Sequence, residues 1–196
     1  LPDGKTIYGV WTYDHGGSLG PMKRSDDGGL TWGKLLEVPE SWRSVNNCPT
    51  IYRLADPAGV NRLVVYAGSG PADISMNKGN DPHMYLAHSA DDGRTWSEMS
   101  RTELAGGAMP FCSIVPINGG KALLGMTNIR RPGEKVEVKS NVVVQSISLD
   151  GGLSWEPYRV VLDLPGLKPC EPWVFRSPDG KTLLCLIREN VKRMAL

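Results

Sequence analysis

Hydrophobic residues in this chain fall in short runs, each closed off by Gly, Pro, Asn or Asp. The runs are rich in β-branched and aromatic residues, and helical spacing of apolar positions is nearly absent, so the pattern argues for strands. Strands are predicted at 6–13, 50–54, 62–68, 84–88, 111–117, 121–127, 141–148, 158–163, 172–176 and 182–188. Nearly all have the usual strand length of about five to eight residues. The predicted fold class is all-β.

Superimposed on the strands is a repeat. Ser25, Asp27, Gly29, Thr31 and Trp32 spell S-x-D-x-G-x-[TS]-W, and so do Ser89, Asp91, Gly93, Thr95 and Trp96, and again Ser148, Asp150, Gly152, Ser154 and Trp155. The serines lie 64 and 59 positions apart. Cys48, Cys112 and Cys170 each open an apolar run and are spaced by 64 and 58 positions, so a second feature keeps the same period. A third echo is Pro2-Asp3-Gly4-Lys5-Thr6 against Pro178-Asp179-Gly180-Lys181-Thr182. A unit of about 60 residues with four short strands is the arithmetic of a β-propeller blade. The expected units are about 1–44, 45–105, 106–166 and 167–196, or about three blades, with the chain cut within a blade at both ends.

In each box the Asp accepts hydrogen bonds from nearby backbone N–H groups and the Gly supplies a positive φ, together a tight turn. The three Trp rings are expected to be buried, each indole N–H finding a partner. Asp27, Asp91 and Asp150 therefore read as structural, since a repeated turn acid stabilises every copy of a unit whereas catalysis needs one.

Composition narrows the function. The 196 residues carry 22 Lys+Arg against 21 Asp+Glu, a net charge of +1, which argues against nucleic-acid binding through a phosphate-neutralising patch. No run approaches the roughly 20 apolar residues of a membrane helix. Cys48, Cys112, Cys170 and Cys185 do not spell a zinc motif, so no metal is predicted. The three repeat-equivalent cysteines are expected to be small buried residues.

Three such boxes at this period resemble the Asp boxes, or BNR repeats, of the sialidase (neuraminidase) superfamily. The resemblance implies a six-bladed β-propeller acting without a cofactor on a sialylated or other acidic glycoconjugate, outside the cell. A substrate whose anomeric carbon bears a carboxylate calls for arginine forks, and sialidases use a Tyr nucleophile in place of one carboxylate. The family pattern of a Glu opening one strand, a D-G turn and an Arg ending the returning strand is matched by Glu171, Asp179-Gly180 and Arg188. The resemblance implies Glu171 as the base that activates the Tyr and Arg188 as a carboxylate-binding arginine. Asp14, 11 residues before Ser25, stands where the family's acid/base Asp falls, with His15 beside it.

The family's Arg-Ile-Pro segment would precede residue 1, and its third Arg and nucleophilic Tyr would follow residue 196. None of Tyr8, Tyr13, Tyr52, Tyr66, Tyr85 or Tyr158 matches the nucleophile, so the chain alone is expected to show little or no hydrolysis. The segment 68–83 reads as a long loop that walls a pocket or simply crosses the surface, and Arg130-Arg131 as an anion contact or a solvated face. Three functions stay open: a sialidase-like exo-glycosidase, favoured by the order of Asp14, Glu171 and Arg188; a non-catalytic propeller binding glycans or proteins; and a glycosidase of other specificity using paired carboxylates.

Overall fold

The computed structural model describes residues 1–14, 17–68, 83–105, 109–131 and 141–190. His15 and most of the predicted long loop lie outside the described residues. Among the described residues there are twelve strands and no α-helix: β1 Ile7–Thr12, β2 Leu19–Ser25, β3 Thr50–Ala55, β4 Asn61–Gly68, β5 His83–Ser89, β6 Ser100–Ala105, β7 Ser113–Ile117, β8 Ala122–Arg130, β9 Asn141–Ser148, β10 Arg159–Leu162, β11 Pro169–Arg176 and β12 Leu183–Glu189. They form four antiparallel sheets in chain order: β1-β2, β3-β4-β5-β6, β7-β8-β9-β10 and β11-β12. The all-β expectation holds. Among the described residues no helix is long and apolar enough to cross a membrane.

Two strands escape the hydrophobic pattern. β2 reads Leu-Gly-Pro-Met-Lys-Arg-Ser, with Gly and Pro inside it and no β-branched residue. Tertiary packing overrides that poor propensity, because Leu19 and Met22 are fully buried between sheets. β6 is polar because it lies at the edge of its sheet. β11 begins three residues before the predicted strand, its Pro169 and Pro172 being buried rather than breaking the chain.

The core lies at the joints between sheets. Leu19, Met22, Trp42, Val65, Ala67 and Ala87 fill the first joint. The second is aromatic: Tyr66 packs on Phe111 with centroids 5.5 Å apart, and Phe111 on Trp155 at 4.1 Å. Leu124, Met126 and Val143 meet Val174 across the third. Alternate residues of β8 thus serve different joints, Leu123 facing back and Leu124 and Met126 facing forward, the period of two of a strand.

Two expectations need correction. Trp155 is 7% exposed and donates its indole N–H to the Gly152 carbonyl at 3.1 Å, and Trp96 does the same to Gly93 at 3.2 Å. Trp32 is instead 43% exposed, because the boxes of Trp96 and Trp155 pack against a preceding sheet and Trp32 has none before it among the described residues. Its ring lies over Gly9 of its own sheet. The repeat-equivalent cysteines differ in part: Cys170 is buried as expected, but Cys112 is half-buried and Cys48 is exposed, and all four cysteines are free.

Candidate active site

Sheet register divides the molecule into two ends. Ser25, Ser89 and Ser148 close their strands opposite Ile7, Leu63 and Leu123, so all three boxes sit at one end of their sheets. There the sheets are tied by Tyr8, whose hydroxyl donates to the Asp92 carbonyl at 2.8 Å, and by Tyr66, which donates to the Gly152 carbonyl at 2.6 Å. At the other end Leu19 N–H donates to Val45 O (2.8 Å), Asn46 N–H to Gly68 O (3.2 Å) and Glu171 N–H to Asn128 Oδ1 (2.9 Å). Asp14, Cys48, Arg130, Glu171 and Arg188 belong to this second end.

The box end is chemically closed. Ser25 Oγ donates to Asp27 (2.7 Å) and accepts from Gly29 N–H (2.9 Å), while the Asp27 carboxylate also takes the N–H and hydroxyl of Thr31 (2.9 and 2.6 Å). Ser89, Asp91, Gly93 and Thr95 repeat this at 2.7, 2.9, 2.9 and 2.7 Å, and Ser148, Asp150, Gly152 and Ser154 at 2.9, 2.8, 2.9 and 2.6 Å. The Thr31 hydroxyl and N–H hold the Asp27 carboxyl down at about 2, and Thr95 lowers Asp91 in the same way. Burial opposes the ionisation of Asp150, but hydrogen bonds from Ser154, Ser148 and Leu153 outweigh it and its pKa is also lowered. Carboxylates so satisfied and so acidic are poor proton donors or acceptors at neutral pH.

The other end is open. Where β11 pairs with β12 the register shifts between Cys170 and Trp173, and Glu171 sits in this bulge with φ 51°, in the left-handed region. Arg188 stands across from Cys170, and its Nη1 donates to both Glu171 oxygens at 2.8 and 2.9 Å. Arg188 Nε and Nη2 have no hydrogen-bond partner among the described residues. The hydrogen bond to Glu171 and its charge raise the Arg188 pKa further, so the guanidinium is permanently charged. The side chains are 61% and 47% exposed, and an exposed pair of this kind contributes about 0–1 kcal/mol. A non-glycine residue in the left-handed region costs about 1–2 kcal/mol, so stability does not account for this pair.

The left-handed entry is itself a repeat feature, since Asn47 and Cys48 lead into the second sheet with φ 73° and 42°. What is singular about Glu171 is the carboxylate it presents there. Burial, then the Glu171 charge, raises the Cys170 thiol, and burial pushes Cys112 up to about 12, which favours the protonated form of both at neutral pH.

Asp14 is exposed in the turn after β1, where its carbonyl accepts from the Thr12 hydroxyl (2.7 Å) and Gly17 N–H (2.9 Å). Gly17 is needed there, since a Cβ on it would lie 2.8 Å from the Asp14 nitrogen. No hydrogen bond or ion pair joins Asp14 to Glu171 or Arg188, so the structure brings the last two together but not the first. Arg131 is engaged by Asp163. Among the described residues no group of three or more His, Cys, Asp or Glu is arranged to hold a metal ion. A crevice of about 180 Å³ lined by Tyr8, Tyr52, Arg53 and Leu63 lies between the first two sheets near the box end, away from Glu171.

Two residues missed by the sequence reading surround Glu171. Asn128 is 6% exposed, and Ser113, 2% exposed, donates to Pro172 O (3.0 Å) while accepting from Val174 N–H (2.9 Å). The predicted strand ends at 127, one residue short of Asn128; counting register from Ser148 places Asn128 inside β8.

The fold is all-β, with the successive antiparallel sheets of a β-propeller. The chain is similar to the α-L-arabinofuranosidase of Fusarium graminearum (TM-score 0.70, 20% identity, 96% of this chain and 54% of that one). It is also similar to a Hadza microbial sialidase (0.58, 15%, 99% and 47%) and to the intramolecular trans-sialidase of Ruminococcus gnavus (0.57, 19%, 93% and 36%). The chain therefore spans about half the length, or less, of these structures. No family model and no curated protein sequence matches it.

Proposed function

We propose that these residues form about three blades of a six-bladed sialidase-like exo-glycoside hydrolase, one that removes a terminal sialic acid or related acidic sugar from glycoconjugates. The observation that carries this reading is the Glu171–Arg188 pair, in which one guanidinium nitrogen holds the carboxylate and the remaining donors stay open toward an incoming anion. Glu171 acts as the base that activates a Tyr lying outside these residues, Arg188 grips the sugar carboxylate, and Asp14 protonates the leaving group. Hydrolysis then proceeds with retention. The Asp boxes contribute folding alone.

The test is hydrolysis of an aryl sialoside by the complete protein. Glu171→Gln should lower kcat by about 10²–10⁴-fold, and the first product seen by NMR should keep its anomeric configuration. Full turnover by Glu171→Gln would remove Glu171 from the mechanism.

A second reading is a glycosidase for neutral sugars with Glu171 as one of two carboxylates. The observation favouring it is that Glu171 already offsets the Arg188 charge, which leaves the described site weakly cationic. Turnover of an aryl arabinofuranoside with the sialoside untouched would select it.

A further inference from the structure

The three box serines give a common register. Five positions beyond their partners Ile7, Leu63 and Leu123 stand Thr12, Gly68 and Asn128, equivalent places at the open end of their sheets. Thr12 turns its hydroxyl back to Asp14 in its own loop, and Gly68 has no side chain. Asn128 alone of the three reaches the next sheet, where its Oδ1 accepts the N–H of Glu171 at 2.9 Å. Ser113 completes the hold one residue further on, bracketing the bulge through Pro172 O and Val174 N–H.

A bulge frees backbone groups from the ladder, and a buried N–H left without an acceptor carries a full desolvation penalty. At this joint buried polar side chains from the preceding sheet meet that need, in a position that β4 fills with glycine. Their hydrogen bonds fall on the bulge that carries Glu171, and so hold the backbone angle from which its carboxylate reaches Arg188. We infer that Asn128, with Ser113 behind it, is a positioning residue that holds Glu171 in its left-handed bulge and aims its carboxylate at the substrate. This rests on the reading of Glu171 as the acting base.

The experiment is residue-resolved amide exchange on Asn128→Gly, Asn128→Asp and the unaltered complete protein, followed by kinetics. Glycine is the residue the second sheet carries at this register, so the fold should tolerate it. Asn128→Gly should speed exchange of the Glu171 N–H by about tenfold, a loss on the scale of one hydrogen bond, while the Val143 and Val144 amides of β9 keep their protection. Asn128→Asp, which retains an acceptor at the same atom, should restore it. In kinetics Asn128→Gly should lower kcat by about 10–100-fold, as a misaimed group does, with KM changed less than about threefold. Unchanged exchange at Glu171, or equal loss of protection along β8 and β9, would overturn the positioning role. A Glu171→Gln variant with full turnover would instead sink the reading of Glu171, and the exchange result would still say whether Asn128 holds the bulge.

Discussion

The two ends of the sheets use acidic residues in opposite ways. At the box end Asp27, Asp91 and Asp150 recur with one geometry, each carboxylate taken up by a Ser hydroxyl and by the N–H and hydroxyl of a Thr or Ser. At the open end Glu171 occurs once, in a left-handed bulge, shared with an arginine that keeps donors to spare. Repetition with every hydrogen bond satisfied is the mark of a folding device, and Glu171, which we propose as the acting base, shares none of that pattern. Gly68 and Asn128 differ as well: the same register place carries no side chain in the second sheet and one that accepts from Glu171 in the third.

Acid should have the largest effect, because it reaches all three boxes together. Their carboxyls are held below the ordinary value, so the unfolded chain binds more protons and stability rises with pH in that window. The stabilisation is complete above the unfolded value of about 3.9 and fades as pH falls toward the Asp27 value of about 2. Thermal melts should be flat above pH 5 and drop steeply below pH 4; a Tm constant down to pH 2 would contradict the role of the boxes.

Substitutions sharpen the contrast between copies. Trp155→Ala should cost about 3–5 kcal/mol in urea unfolding, since the ring is 7% exposed against Phe111. Gly152→Ala should cost about 2–4 kcal/mol, because at φ 90° its Cβ would stand 2.5 Å from the Tyr66 hydroxyl and 2.6 Å from Leu54. Trp32→Ala, at the exposed copy of the same motif, should cost less than about 1.5 kcal/mol. Glu171→Gly should change stability by less than about 1 kcal/mol, relief of the left-handed angle offsetting loss of an exposed pair. A loss above about 3 kcal/mol there would make Glu171 a structural residue.

Much of this architecture was legible in the sequence because it is periodic. The boxes announced the turns, and Glu171 and Arg188 were placed opposite one another by the D-G turn between them, where Ser177 and Thr182 now close the hairpin through Ser177 N–H to Thr182 O at 2.8 Å. What escaped was set by neighbours instead of by local pattern. β2 is a strand because two sheets bury Leu19 and Met22, and Trp32 is exposed because no sheet covers its box among the described residues. Asn128 falls just past the predicted strand 121–127, and nothing local reveals that its partner lies 43 residues away in another sheet.

The division of labour between the two ends is tested most directly by an NMR titration of the isotopically labelled complete protein with free sialic acid. Saturable shifts are expected at the amide of Glu171, at Arg188 Nε–H and at Asp14, with Asp27, Asp91 and Asp150 unmoved. Shifts centred on the box residues, with Glu171 and Arg188 silent, would place recognition at the opposite end of the sheets and contradict it.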